Sequence, residues 1–216
     1  MIQRKACRGT IRANRRMKHA IIIAHPALRS FTASVAAAYR GEVEALGHAT
    51  VTRDLYRLDF DPCLKAEEIP GPAHFGPGPD VTAERALIAD CDVFALFYPL
   101  WLNSPPAILK GYLERVFGFG FAYGGKGHSG SPLLTGRKLI SFSSSGAPSE
   151  WVETTGVMEA VQTLYDRYLA QLFGMKLLDH VHAGGVVPGA SEYFIQARLS
   201  DAVQATRRHF APAAAG

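Results

Sequence analysis

The chain has 216 residues, is 48% apolar and carries 23 Lys or Arg against 19 Asp or Glu, for a formal charge of +4. That length supports one substantial core, and no apolar run reaches the roughly 20 residues that cross a bilayer, so membrane insertion is excluded and a soluble, cytoplasmic protein is expected. Six of the basic residues (Arg4, Lys5, Arg8, Arg12, Arg15 and Arg16) fall in the first sixteen positions, leaving 17 basic against 19 acidic residues elsewhere, which removes the support for nucleic-acid binding by the body.

In chain order, residues 1–17 read as a basic N-terminal extension: a floppy segment or one lying ahead of a start at Met17, with an Arg-rich targeting peptide as the alternative. It lacks the apolar stretch of a secretory signal. Residues 18–216 read as a single domain. Cys7, Cys63 and Cys91 are widely spaced and form no Cys-x-x-Cys pair, so neither a disulfide framework nor a zinc site is implied, and a reducing compartment fits.

The first strand is expected over His19–Ala24, ending at His25-Pro26, where proline can neither continue nor donate. Ser30 is placed as an N-cap, followed by a helix from Ala33 to Leu46 that Gly47 stops. His48–Leu55 alternates as a second strand. Asp59–Pro79 is a Pro- and Gly-dense loop, and loops of that length are more often functional than idle. A helix over Val81–Ala89 leads into an apolar strand at 92–98, and Pro105–Phe117 is a further helix with its prolines in the first turn. Gly118–Leu134 is an aromatic, glycine-rich excursion. Arg137–Ser143 is a fourth strand, 155–173 a helix, Leu177–Gly184 a fifth strand and Ala190–Phe210 a terminal helix. Strands alternating with helices imply a parallel sheet with right-handed crossovers and helices on both faces.

In such a sheet the loops after strands one, three and four share one edge, where open α/β sheets bind ligands. Three segments therefore converge: His25–Thr32, Pro99–Asn103 and Ser143–Ala147. The first opens a helix whose N-terminus favours an anion such as phosphate, although helix capping alone accounts equally well for Ser30. It has neither the G-x-G-x-x-G nor the G-x-x-x-x-G-K-[ST] pattern, which argues against a Rossmann dehydrogenase or P-loop kinase. The second sets main-chain groups beside Trp101, suited to a flat heteroaromatic ring. The third, Ser143-Ser144-Ser145-Gly146-Ala147, offers hydroxyls and close backbone approach and does not match a G-x-S-x-G nucleophile elbow. Phe117, Phe119, Phe121 and Tyr123 alternate along a glycine-rich segment that suits either an apolar pocket wall or a subunit interface. His180 and His182 share one strand face, but no third metal ligand stands in register, and no metal is expected.

His25-Pro26 with Ser30-Phe31, Tyr98-Pro99-Leu100-Trp101, Pro106-Ala107-Ile108-Leu109-Lys110-Gly111, Glu114-Arg115-Val116-Phe117 and Phe121-Ala122-Tyr123 together resemble the NAD(P)H:quinone oxidoreductase family. The similarity runs from about Lys18 to Phe210. It implies a flavodoxin-like three-layer α/β sandwich, with a five-stranded parallel sheet in the order 2-1-3-4-5. It also implies a flavin, FAD ahead of FMN, with NAD(P)H as co-substrate and a homodimer with active sites at the subunit boundary. By position, His25, Ser30, Phe31 and Thr32 would hold the flavin phosphate and tail. Pro99, Leu100, Trp101, Leu102 and Asn103 would line the isoalloxazine, and Ser144, Ser145, Gly146 and Ala147 its pyrimidine edge. Tyr123 would border the pocket shared by nicotinamide and quinone and act as the catalytic residue.

The implied activity is two-electron hydride transfer from NAD(P)H to quinones or related electrophiles in a ping-pong sequence. The family also includes ancillary subunits of potassium-efflux systems, so a flavin-binding regulatory subunit of such a transporter is the alternative; a flavodoxin-type electron carrier fits less well. The sequence departs from the family pattern in three places. Ser144-Ser145-Gly146-Ala147 stands where Thr-Thr-Gly-Gly is common. Trp151 stands near the position of a relay tyrosine, with no histidine over 152–162. Gly125 stands where a second pocket tyrosine often lies.

Overall fold

The computed structural model describes residues 16–71, 75–125 and 130–212; most of the basic extension lies outside them. Five parallel strands form the sheet: β1 (Lys18–Ile23), β2 (Ala49–Asp54), β3 (Val93–Pro99), β6 (Lys138–Ser144) and β7 (Lys176–Ala183). The spatial order is β2-β1-β3-β6-β7, the expected 2-1-3-4-5 once the short antiparallel pair β4 (Tyr123–Gly124) and β5 (Ser131–Pro132) is set aside. β3 is central, and all seven of its residues are buried, which explains why it reads as an unbroken apolar run rather than an alternating one.

Alternate residues of the strands divide the core into two layers. Ile21, Ile23, Val93, Ala95, Phe97, Ile140 and Phe142 pack on one face against α1 (Phe31–Ala45) and α7 (Glu192–Phe210). Ala20, Ile22, Phe94, Leu96, Tyr98 and Leu139 pack on the other, against α2 (Pro79–Ile88), α3 (Ala107–Arg115) and the segment after β6. Met17 belongs to the first layer, its N–H donating to His48 Nδ1 at 3.2 Å.

Two expectations shift. Pro106 is the N-cap of α3 rather than part of its first turn. The helix expected at 155–173 begins earlier and comes in pieces: α4 (Ser149–Thr154), α5 (Val157–Val161), a π-helical turn over Gln162–Arg167 and α6 (Tyr168–Phe173). The break falls at Gly156, whose φ of +76° ordinary residues avoid. The π-turn rotates Asp166 inward, where it is fully buried.

The loop before α2 is laid down on α3 through one cation. The Arg115 guanidinium, 2% exposed, donates to both carboxylate oxygens of Glu68 at 2.8 Å, to Asp80 at 2.7 Å and to the Asp61 carbonyl at 2.6 Å. Gly111 allows this approach, since a Cβ there would stand 2.1 Å from the Pro62 carbonyl oxygen.

Candidate active site

All five strands point one way, so the loops following β1, β3 and β6 meet at the carboxyl edge. They enclose a cavity of about 420 Å³, within the range of small-molecule sites. Ten of the thirteen expected binding residues line it: His25, Ser30, Phe31 and Thr32 from the first loop, Pro99, Leu100 and Trp101 from the second, and Ser144, Ser145 and Gly146 from the third. Leu102, Asn103 and Ala147 stand outside that lining. Arg29, the loop after β7, through Val186, Val187 and Pro188, and Ile195 of α7 complete the wall. Arg29 falls within the expected segment His25–Thr32 without having been singled out, and the sequence reading missed the loop after β7, although the shared strand direction already brought it to this edge.

One end of the cavity is the N-terminus of α1. Ser30 is the N-cap, its Oγ accepting from the Ala33 N–H at 3.1 Å. Capping and ligand contact are compatible, because the acceptor role leaves the hydroxyl hydrogen free to donate. The helix dipole, the unsatisfied N–H groups of the first turn and Arg29 favour an anionic group here.

The middle of the cavity is bounded by Trp101, 44% exposed, whose ring stands 5.6 Å from that of His25. A two-residue reversal fixes the indole: Trp101 N–H donates to the Ser104 carbonyl at 2.9 Å, and Ser104 N–H returns the bond at 3.1 Å. Its central residues, Leu102 (φ +50°) and Asn103 (φ +58°), both lie in the left-handed region. For leucine that conformation is strained by about 1–3 kcal/mol, and Leu102 recovers nothing from burial because its side chain is fully exposed. Strain kept without a packing gain is a mark of a functional rim.

The third loop closes the far side. Ser145 N–H donates to the Ala183 carbonyl at 3.0 Å, and Ser145 Oγ to the Ala147 carbonyl at 2.8 Å. The Gly146 N–H makes no backbone hydrogen bond among the described residues, so a donor remains on the wall. Behind Ser145 lies His182, held down to about 4 by burial and by the neighbouring charge of His180.

Tyr123 is not part of this cavity. It lines a separate apolar groove of about 460 Å³ with Phe117, Leu164, Tyr168 and Phe173, its ring stacked on Phe173 at 6.3 Å. Leu164 and Tyr168 are more than half exposed there. No group of three or more His, Cys, Asp or Glu side chains suited to a metal occurs among the described residues.

The model of a family described by its flavodoxin-like fold matches residues 17–209. The chain belongs to that family. It is 37% identical over 143 residues to an uncharacterized NAD(P)H oxidoreductase of Haemophilus influenzae, covering 65% of this chain and 70% of that one. It is 29% identical over 154 residues to the human ribosyldihydronicotinamide dehydrogenase [quinone], covering 63% and 67%. Among solved structures, the NAD(P)H:quinone oxidoreductase from Methanothermobacter marburgensis superimposes with a TM-score of 0.80 at 31% identity, over 90% of this chain and 96% of that one. The protein is an oxidoreductase of this flavodoxin-like, quinone-reductase type.

Proposed function

We propose that the protein is a flavin-dependent NAD(P)H oxidoreductase that reduces quinones or related electrophiles by two electrons, in two half-reactions sharing one pocket. The observation that carries this reading is the convergence of three loops on one cavity that has an anion-favouring helix end, an exposed indole and a backbone-lined wall in sequence along its length. These residues fit a flavin nucleotide: phosphate at Ser30, Phe31 and Thr32 with His25 beside it, the ring system along Pro99, Leu100 and Trp101, and its pyrimidine edge at Ser144, Ser145 and Gly146. Leu102, Asn103 and Ala147 contribute through the backbone geometry of their turns. Two-electron exchange between NAD(P)H and an acceptor is the chemistry a bound flavin supplies.

The chain's own contribution is alignment and charge. Trp101 and the turn behind it fix the plane in which rings overlap, which matters because such transfer needs near-contact geometry. The Gly146 N–H and the Ser145 wall face the place where negative charge collects. Tyr123 lies outside the cavity of its own chain, and its groove carries exposed Leu164 and Tyr168. A homodimer therefore fits best, with the groove covered by a second copy and Tyr123 bordering the acceptor site at the boundary.

The test is direct. The purified protein is expected to be yellow and to release a riboflavin nucleotide whose mass decides between FMN and FAD, with Trp101→Ala weakening its retention at least tenfold. A colourless protein that takes up neither nucleotide at micromolar concentration overturns the reading.

A further inference from the structure

A line of polar side chains crosses the otherwise apolar interior from the π-turn to the cavity wall. Asp166 Oδ1 accepts from Ser141 Oγ at 2.6 Å, and its Oδ2 lies 2.5 Å from His180 Nδ1. His180 Nε2 lies 2.6 Å from Ser143 Oγ, which lies 2.8 Å from His182 Nδ1. His182 Nε2 lies 3.1 Å from Ser145 Oγ, which donates to the Ala147 carbonyl. Asp166 and Ser141 are fully buried and the His180 side chain is 2% exposed.

Asp166, His180 and Ser143 have the spacing of an Asp–His–Ser triad, but a nucleophilic role does not follow. Ser143 is buried and its oxygen is committed to a second imidazole. The chain leads onward instead, to Ser145, which lines the cavity.

Counting protons limits where the last one can sit. Five contacts run from Asp166 to the Ala147 carbonyl, and each needs one hydrogen. The two serines supply two, so with an ionised Asp166 the imidazoles supply three, whereas two neutral rings would supply only two. The complete set of bonds therefore holds one proton beyond two neutral rings and two hydroxyls, lying in the contact between Asp166 Oδ2 and His180 Nδ1; the relay starts from the form in which His180 carries it. Burial and the neighbouring His180 hold the proton affinity of His182 down to about 4, so His182 is the neutral ring. Around the pair, β3 presents only Tyr98, whose ring packs on His180 at 6.2 Å and whose hydroxyl burial keeps neutral. On the opposite face of β7, Asp179 is engaged by Arg208 and His209.

We propose that Asp166, His180, Ser143, His182 and Ser145 form a buried proton relay that moves a positive charge from the sheet interior to the cavity wall when negative charge develops there. This rests on the flavin reading of the cavity. In the transfer, His180 Nε2–H passes to Ser143 Oγ while the Ser143 hydroxyl proton passes to His182 Nδ1. His180 is left neutral with Nδ1–H on Asp166, and His182 becomes the imidazolium, donating through Nε2–H to Ser145. No proton is gained or lost by the protein. His180 and His182 act through Ser145 and are positioning residues.

The test uses the flavin-loaded protein at pH 7.5. Nitrogen-15 spectra of the imidazoles are expected to show His180 doubly protonated and His182 neutral, with Asp166→Asn turning both rings neutral. His182→Gln is expected to leave affinity for the oxidised cofactor within twofold and to weaken affinity for the two-electron-reduced cofactor about tenfold, lowering the midpoint potential by about 30 mV. Asp166→Asn, nearly isosteric, should lower it by a similar amount, so the result does not hang on one variant folding. Two neutral rings in the wild type, or a potential unmoved in both variants, overturns the relay while the yellow protein preserves the flavin reading. A protein that binds no flavin overturns the flavin reading and the relay's direction together, yet leaves the imidazolium at His180 visible.

Discussion

The protein should lose stability as pH falls from 7 to 5, and His19 should account for a measurable share. His19 lies on β1, fully buried, with Nδ1 2.7 Å from the Tyr39 hydroxyl and its ring against those of His48 and Phe210. Its Nε2 has no hydrogen-bond partner among the described residues. Burial first, then the charges of His48 and Lys138, lower its proton affinity from 6.5 to about 3. Between those values the unfolded chain binds a proton that the native state refuses, so native stability falls with acidification below 6.5. At 1.36 kcal/mol per pH unit, the interval from 6.5 to 5 costs about 2 kcal/mol through this one residue. Lowered carboxylates such as Glu68, Asp80 and Asp179 lose their stabilising charge only at lower pH, which isolates the histidine window. His182 acts in the same window and direction. The assay is urea unfolding at pH 7 and pH 5 for the wild type and His19→Asn, in which the amide oxygen can take over the contact with Tyr39. The variant should lose about 2 kcal/mol less over that interval, whatever its absolute stability. Equal losses in the two proteins would refute the assignment.

Three further outcomes follow from the geometry. Arg115→Met should cost about 3–5 kcal/mol in urea unfolding, because it strands the Glu68 carboxylate, only 4% exposed, without its counter-ion; a loss below about 1 kcal/mol would show that the loop simply lifts off α3 into water. Gly184→Ala should lower both thermal stability and flavin affinity, since its Cβ would fall 2.2 Å from the Ser149 nitrogen and push the start of α4 away from the third loop; fluorescence titration of the flavin reads the second effect. Tyr123→Phe should lower kcat/KM for quinone about fivefold, the worth of one hydrogen bond of about 1 kcal/mol, and unchanged turnover would remove its hydroxyl from the reaction while leaving the flavin site standing.

Most of the sheet was legible because its signals are local. Apolar runs such as 93–98 end at prolines or polar turns, and a parallel sheet then brings particular loops together with no further information. The region from 149 to 173 was harder. Ser149–Thr154 is polar and amphipathically silent, so the helix starts ahead of its apolar pattern, and a π-turn depends on tertiary demand rather than propensity. Asp166 gave a signal in hindsight, as an acid among Leu164, Tyr165 and Leu169. His180 and His182 were recognised as facing one way, but the metal question looked only along their own strand. Ser141 and Ser143 repeat the same two-residue period on β6, directly paired with them, and two polar stripes in register were the sign of a shared network. Tyr123 was placed by motif alone, and a motif fixes neighbours in sequence, while the groove that Tyr123 lines within its own chain is built by α3 and α6.

Two features of this chain run against stability, and they end at the same place. A carboxylate, two imidazoles and two serines occupy positions where apolar side chains of similar volume would serve the fold as well or better, because the cost of desolvating polar groups offsets most of what their mutual bonds contribute. Leu102 and Asn103 hold left-handed backbone where glycine would relieve the strain. Neither feature is needed to build the sheet, whose core layers are complete without them. The polar line terminates at Ser145 and the strained turn at Trp101, and both side chains face the cavity above β3 and β6. Independent local costs that converge on one edge locate the site more firmly than the cavity's volume does, since the apolar groove beside Tyr123 is as large and carries no such cost.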